Sequence, residues 1–158
     1  MDPDLFRKAW GNFATGAALV TTLEEDGTVH GMTANGIASI SLDPMLVMVC
    51  VGRKANTYPI IVETRRYGIN ILSESQQSIG IFYASSARKS IHDPNATFHF
   101  TDSGTAFLDN ALSSMDCHVV SQYDEGDHTI FIGKVDFVEV NQGRPLIFFD
   151  SKWDSLSN

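Results

Sequence analysis

The chain has 158 residues, 43% hydrophobic and 19% charged, an ordinary globular composition with enough chain for one sizeable core. Eleven Lys and Arg against 19 Asp and Glu leave a net charge of −8, which argues against nucleic acid or an anionic membrane as the main partner. The longest purely apolar run, residues 45–51, falls far short of the roughly 20 residues of a membrane helix, and Met1-Asp2-Pro3-Asp4 shows no signal-like pattern, so a cytoplasmic location is expected.

In chain order, Asp4 is placed to cap a helix in which Leu5, Phe6, Ala9, Trp10 and Phe13 recur at helical spacing, ended by Thr15-Gly16. Its apolar face suits either a second subunit or the chain's own core. Residues 17–23, the acidic turn 24–27 and residues 29–41 read as a hairpin. Asp43-Pro44 breaks the chain before residues 45–51, whose unbroken apolarity predicts a strand buried on both faces. Pro59 restricts the next helix, within residues 55–65, to starting near Asn56 or Thr57. A strand over 67–72 and a helix over 75–83 follow, then a long polar excursion over 85–105. Residues 111–123, 128–140 and 145–149, separated by turns, predict a three-strand meander. Six or seven strands with two or three short helices, and no linker or repeat, point to one mainly β domain over residues 1–158, a β-barrel with helical decoration.

Phosphate-loop, Rossmann, zincin and hydrolase motifs are all lacking. Cys50 and Cys117 sit in apolar runs without CxxC spacing and read as buried free thiols. No metal-ligand spacing joins His30, His92, His99, His118 and His128, and all but His128 read as surface or strand filler. In residues 31–41, small and hydroxyl side chains alternate where a strand ordinarily carries bulky ones. Either a planar ligand lies against that backbone, with amides near Ala34 and Asn35 and hydroxyls from Thr33, Ser39 and Ser41, or the segment is a bulged edge strand. Arg53-Lys54-Ala55-Asn56-Thr57 follows a strand and opens a helix, which places a cation, a hydroxyl and amide donors where a phosphate is stabilised; an ordinary capped helix start is the plainer alternative. Arg88-Lys89 offers further charge, and the Gly126-Asp127-His128 turn leaves an imidazole at a strand mouth.

Four segments in order, GMTANGIASISLDP over 31–44, GRKANT from Gly52, GDHTIFIGKV from Gly126 and RPLIFF from Arg144, resemble the short-chain flavin reductases with an FMN-binding split barrel. The resemblance covers about Phe13 to Trp153. It implies a split barrel, usually homodimeric, that passes a hydride from NADH or NADPH to FMN or FAD, many members supplying reduced flavin to a separate monooxygenase. By position it assigns Thr33, Ala34 and Asn35 to the pyrimidine side of the flavin ring and Ser39 and Ser41 to ribityl or phosphate. Lys54, Asn56 and Thr57 match the phosphate turn, with Lys89 a further phosphate contact. His128 matches the histidine beside the nicotinamide, and Trp153 falls where the family has a C-terminal tyrosine. A non-enzymatic flavoprotein that carries electrons or stores FMN is the alternative, because fold alone does not settle activity.

Overall fold

The computed structural model describes residues 2–85 and 92–157. Helix α1 spans Pro3–Gly11 and is capped by Asp2, not Asp4: the Asp2 carboxylate accepts the Asp4 N–H at 2.9 Å, while Asp4 pairs with Arg7 at 2.6 Å. The earlier cap leaves room for Pro3 at the first helical position, where its missing N–H costs nothing. The helix stops at Gly11, and Thr15–Gly16 forms strand β1. The remaining strands are β2 (Ala18–Leu23), β3 (Val29–Ala34), β4 (Ile37–Leu42), β5 (Met45–Gly52), β6 (Arg66–Ile71), β7 (Phe98–Phe100), β8 (Ala106–Leu108), β9 (Ser113–Glu125), β10 (His128–Val140), β11 (Leu146–Phe149) and β12 (Lys152–Ser155). Helices α2 (Thr57–Thr64) and α3 (Gln77–Ala84) interrupt them, the latter after a short 3-10 turn at Glu74–Gln76.

Seven strands make one antiparallel sheet in the order β3-β2-β6-β9-β10-β5-β4. Strands β3 and β4 therefore lie at opposite edges, yet only Asn35 and Gly36 join them. Two linking residues span about 11 Å at most between the strand ends, so the sheet must curl until its edges meet at that end. This is the split barrel, and it replaces the single strand predicted over residues 29–41 with two strands on either side of the closure. At the Ser39/Ser41 step β4 carries the register shift of a bulged edge strand.

Inside the curl lie Ala18, Val20, Val47, Val49, Val51, Tyr67, Ile69, Cys117, Val119, Phe131 and Val135, with Ile61 of α2 closing the stack. Each fully buried Val or Ile is worth roughly 1.5–3 kcal/mol. Of β5 only Val47, Val49 and Val51 are fully buried, in alternation, and Met45 is exposed. The strand sealed on both faces is β2 instead, because Ile79 and Tyr83 of α3, Leu108 of β8 and Leu72 just after β6 cluster with Leu19 on its outer face and with Ala17 just before it. The meander expected at the C-terminus is also redrawn: β9 and β10 pair, but β11 leaves them to lie between β1 and β12 in a three-stranded sheet. Strand β7, within the excursion, pairs with β8 just after it.

Two buried polar side chains of the barrel wall, Asn70 and Asp116, are tightly partnered. Asn70 donates to the Leu19 carbonyl at 3.0 Å and to Thr21 at 3.2 Å, and accepts from the Leu108 N–H and the Ser114 hydroxyl, both at 2.8 Å. Asp116 accepts from Thr105 at 2.6 Å, Arg66 at 2.8 Å, Thr101 at 3.0 Å and also Ser103. Burial by itself raises that carboxyl, but the bonds from Ser103, Thr105, Arg66 and Thr101 hold it below the usual carboxylate range. Three of the histidines read as filler have carboxylate partners: His30 with Glu24 at 2.8 Å, His118 with Asp136 at 2.7 Å, and His99 with both Asp109 at 2.7 Å and Glu139 at 3.0 Å. Both cysteines are free thiols, Cys117 buried and Cys50 half-buried, and burial pushes the Cys117 thiol up to about 12.

Candidate functional site

The sheet's two edges part again beyond the Asn35-Gly36 link, and a cleft of about 390 Å³ opens between them. One wall is Gly31, Met32 and Thr33 of β3; the other is Gly52 at the end of β5, the segment Lys54-Ala55-Asn56-Thr57 leading into α2, and His128 at the start of β10. Tyr83, Ala84 and Ser85, at the end of α3, close the back. Its size falls within the range of small-molecule sites, which run from about 300 to 1,000 Å³.

Local chemistry explains each wall. At Gly31 the neighbouring Tyr83 ring leaves no room for a side chain, since a Cβ there would lie 2.7 Å from its Cδ1. The glycine lets the helix seat directly on β3. Thr33 donates its hydroxyl to the Gly80 carbonyl at 2.8 Å, which spends its proton on α3 and leaves oxygen lone pairs for a ligand donor. Asn56 precedes the first residue of α2 and makes no side-chain cap bond, so its amide is spare at a helix start. Lys54 is exposed and makes no ion pair among the described residues. Arg53, by contrast, is occupied: its guanidinium holds the Gly126 carbonyl, and its own N–H donates to the Asp127 carbonyl at 3.1 Å.

That clamp fixes the turn carrying His128. The His128 Nδ1 lies 2.7 Å from the Asp127 carboxylate, and the hydrogen bond and charge of His128 hold the Asp127 carboxyl below its ordinary range. With Nδ1 so engaged, Nε2 is the nitrogen beside Gly52, 3.6 Å from where a Cβ there would stand. A second, smaller hollow of about 130 Å³ continues the cleft past Thr33 and Ala84; it is lined by Ala17, Ala34, Asn35, Phe148 and Trp153 as well. Trp153 meets Phe148 edge-on with centroids 5.0 Å apart.

Eight of the sequence-predicted residues thus gather in two adjoining hollows: Thr33, Lys54, Asn56, Thr57 and His128 in the first, and Ala34, Asn35 and Trp153 with Thr33 again in the second. Ser39 and Ser41 do not join them, because β4 runs away from the split and both line a separate cavity at the open end of the barrel. Lys89 and Arg88 lie outside the described residues. Tyr83 and Phe148 went unpredicted; their helix and strand spacing marks them as apolar positions, and nothing local signals that they border a ligand hollow.

A flavin fits these groups: one free cation and a helix start for a phosphate at one end, small residues and edge backbone for a flat ring along β3, and an aromatic pair beyond. Residues 10–157 match the family described as flavin reductase like domain. The chain belongs to the flavin reductase-like family. An NADH-dependent flavin reductase of a Rhodococcus species is 38% identical over 99% of this chain and 90% of its own. Among solved structures, the flavin reductase PheA2 in its native state superposes with a TM-score of 0.91 at 39% identity, covering 100% of both chains. The styrene monooxygenase flavin reductase of Pseudomonas putida S12 does so with a TM-score of 0.87 at 33% identity over 97% of both. The mainly β split barrel read from the sequence is therefore the fold this flavin reductase-like chain shares with them.

Proposed function

We propose that the protein is an NAD(P)H-dependent flavin reductase, one domain acting as a homodimer in the cytoplasm and supplying reduced FMN or FAD to a separate monooxygenase. The observation that carries the reading is the cleft itself, where Lys54, Asn56, Thr57 and His128 converge between the parted edges. Relatives named as NADH-dependent reductases and as a monooxygenase's flavin reductase favour this over an electron-carrying or storage flavoprotein, and favour NADH as the reductant.

A bound flavin supplies the hydride acceptor, so no side chain of this chain has to act as a nucleophile. Lys54 and the start of α2 hold the phosphate and set where the ring lies. Backbone donors near Ala34 and Asn35 would hold the pyrimidine side of a bound flavin and favour negative charge there. His128, oriented through Asp127 and the Arg53 clamp, would offer Nε2 to a bound dinucleotide, with Trp153 as a flanking ring. Ser39 and Ser41 are left out of this set.

The test is anaerobic mixing of FMN-reconstituted protein with NADH and then NADPH, following the flavin's visible absorbance. Rapid bleaching, faster with NADH, is expected; tight FMN binding with no bleaching by either dinucleotide overturns the reading in favour of the electron carrier.

A further inference from the structure

One sulfur borders the cleft without a part in hydride transfer. Met32 of β3 lies on the wall opposite Lys54-Ala55-Asn56-Thr57, and of the methionines among the described residues it alone lines the cleft or the hollow that continues it. Its side chain is half-buried and packs against the barrel core behind it. From the other wall the hydroxyl of Thr57, a residue only 1% exposed, donates to the Met32 Sδ at 3.8 Å. A thioether is a weak acceptor, so this bond gives up the hydroxyl's one proton readily. The two thiols are poorer targets for oxidation. Burial raises both, Cys117 to about 12, so at neutral pH neither carries the thiolate that peroxide attacks.

We propose that Met32 is an oxidation site that switches the cleft: hydrogen peroxide converts its thioether to the sulfoxide, and the sulfoxide weakens flavin binding. The proposal rests on the flavin reductase reading above, because peroxide forms when dioxygen takes two electrons and two protons from a reduced flavin. The step balances between side chain and oxidant. The peroxide O–O bond breaks, one oxygen forms the new S–O bond and the other leaves as water; the sulfur gives up two electrons and the peroxide takes them. A sulfoxide oxygen is a strong polar acceptor where the thioether was soft and apolar. It holds the Thr57 proton that a phosphate seated on Lys54, Asn56 and Thr57 otherwise receives, and it sets the negative end of a dipole beside that anion. A cleft whose reduced flavin is lost to dioxygen thereby lowers its own turnover, and enzymatic reduction of the sulfoxide restores it.

Peptide mass spectrometry tests the site, and fluorescence titration with FMN tests its effect. Two treatments are compared: hydrogen peroxide added to the protein, and aerobic turnover with NADH and excess FMN. Both are expected to add one oxygen to Met32, and catalase to prevent it in the second. Oxidised protein is expected to bind FMN about tenfold more weakly, the size of one lost hydrogen bond to a charged group, and treatment with methionine sulfoxide reductases of both epimer specificities to restore the affinity. Met32→Leu, close in volume, is expected to keep through peroxide whatever FMN affinity it begins with, while Met45→Leu, at an exposed position away from the cleft, weakens as wild type does. Peroxide that oxidises Met45 and spares Met32, oxidised Met32 with FMN affinity unchanged, affinity that the reductases do not restore, or a Met32→Leu that weakens as far as wild type would each overturn the proposal. The reductase treatment decides it in wild type if that variant does not fold. Protein that takes up no FMN before oxidation sinks the reductase reading and the switch with it, whereas normal bleaching with NADH beside an indifferent Met32 sinks the switch alone.

Discussion

In the barrel wall, Asn70 is fully buried and its amide N–H groups and its carbonyl oxygen find four partners on β2, β8 and β9. In the cleft, Asn56 is exposed at a helix start with its side chain making no cap bond. The same residue type is thus used as a fastener in one region and as an open hand in the other. Arg66 and Lys54 repeat the contrast: Arg66 is held by Asp116 and Asp136 at 2.8 and 3.2 Å, whereas Lys54 makes no ion pair among the described residues. Asn70 and the Arg66 guanidinium terminus are engaged within the fold, whereas Asn56 and Lys54 keep donors available beside the cleft.

Breaking a fastener is the largest expected effect. Asn70→Ala strips partners from the Leu108 N–H, the Ser114 hydroxyl and the Leu19 carbonyl, and should cost about 3 kcal/mol or more of folding stability in a denaturant titration. If the midpoint barely moves, the wall is not the rigid element the contrast requires. Opening the hand should do the opposite. Lys54→Ala is expected to weaken flavin binding about tenfold, as loss of one exposed charge-assisted bond does, with the melting temperature unchanged; fluorescence titration with FMN reads it out. His128→Ala should raise the dinucleotide KM several-fold while single-turnover hydride transfer falls less, and unaltered steady-state kinetics would remove the imidazole from the site.

The smallest effect sharpens the comparison from the exposed side of the wall. Hydrogen bonding to Asp109, outweighing partial burial and helped by Glu139, holds His99 above its ordinary range. A raised folded-state pKa means that its contribution is complete below the unfolded value of about 6.5 and is lost as pH rises through the folded value. Wild type should therefore lose a little stability relative to His99→Gln as pH climbs from 6.5, a difference well under 1 kcal/mol for a half-exposed pair. Parallel denaturation series at several pH values would detect it, and coincident curves would show the clamp on β7 to be idle.

Much of the site was legible in the sequence because its parts are local. The Lys54-Ala55-Asn56-Thr57 run carries its own helix start, and Pro59 in α2 fixes where that start falls. The turn before His128 likewise encodes its own geometry through Gly126, whose φ of 59° suits glycine. Residues 31–41 also read correctly as something unusual, but as one strand instead of two. Alternating small and hydroxyl residues do not reveal that Asn35-Gly36 bridges opposite edges of a sheet, since strand order depends on which distant segments pair. For the same reason sequence alone does not separate β11 from β10, or show that β2 and not β5 is sealed on both faces.

By itself the sequence determined what short-range physics governs: the strand-rich class, the start of α2, the His128 hairpin, the basic pair Arg53-Lys54 before that helix, and, through four ordered segments, the flavin reductase-like family. Tertiary structure alone decided which groups share a site. Curling the sheet brings residues 33, 54, 57 and 128 around one cleft, sends Ser39 and Ser41 to the barrel's other opening, and sets Tyr83 behind Gly31. Those outcomes rest on contacts between residues far apart in the chain, whose energies exist only once the barrel has closed.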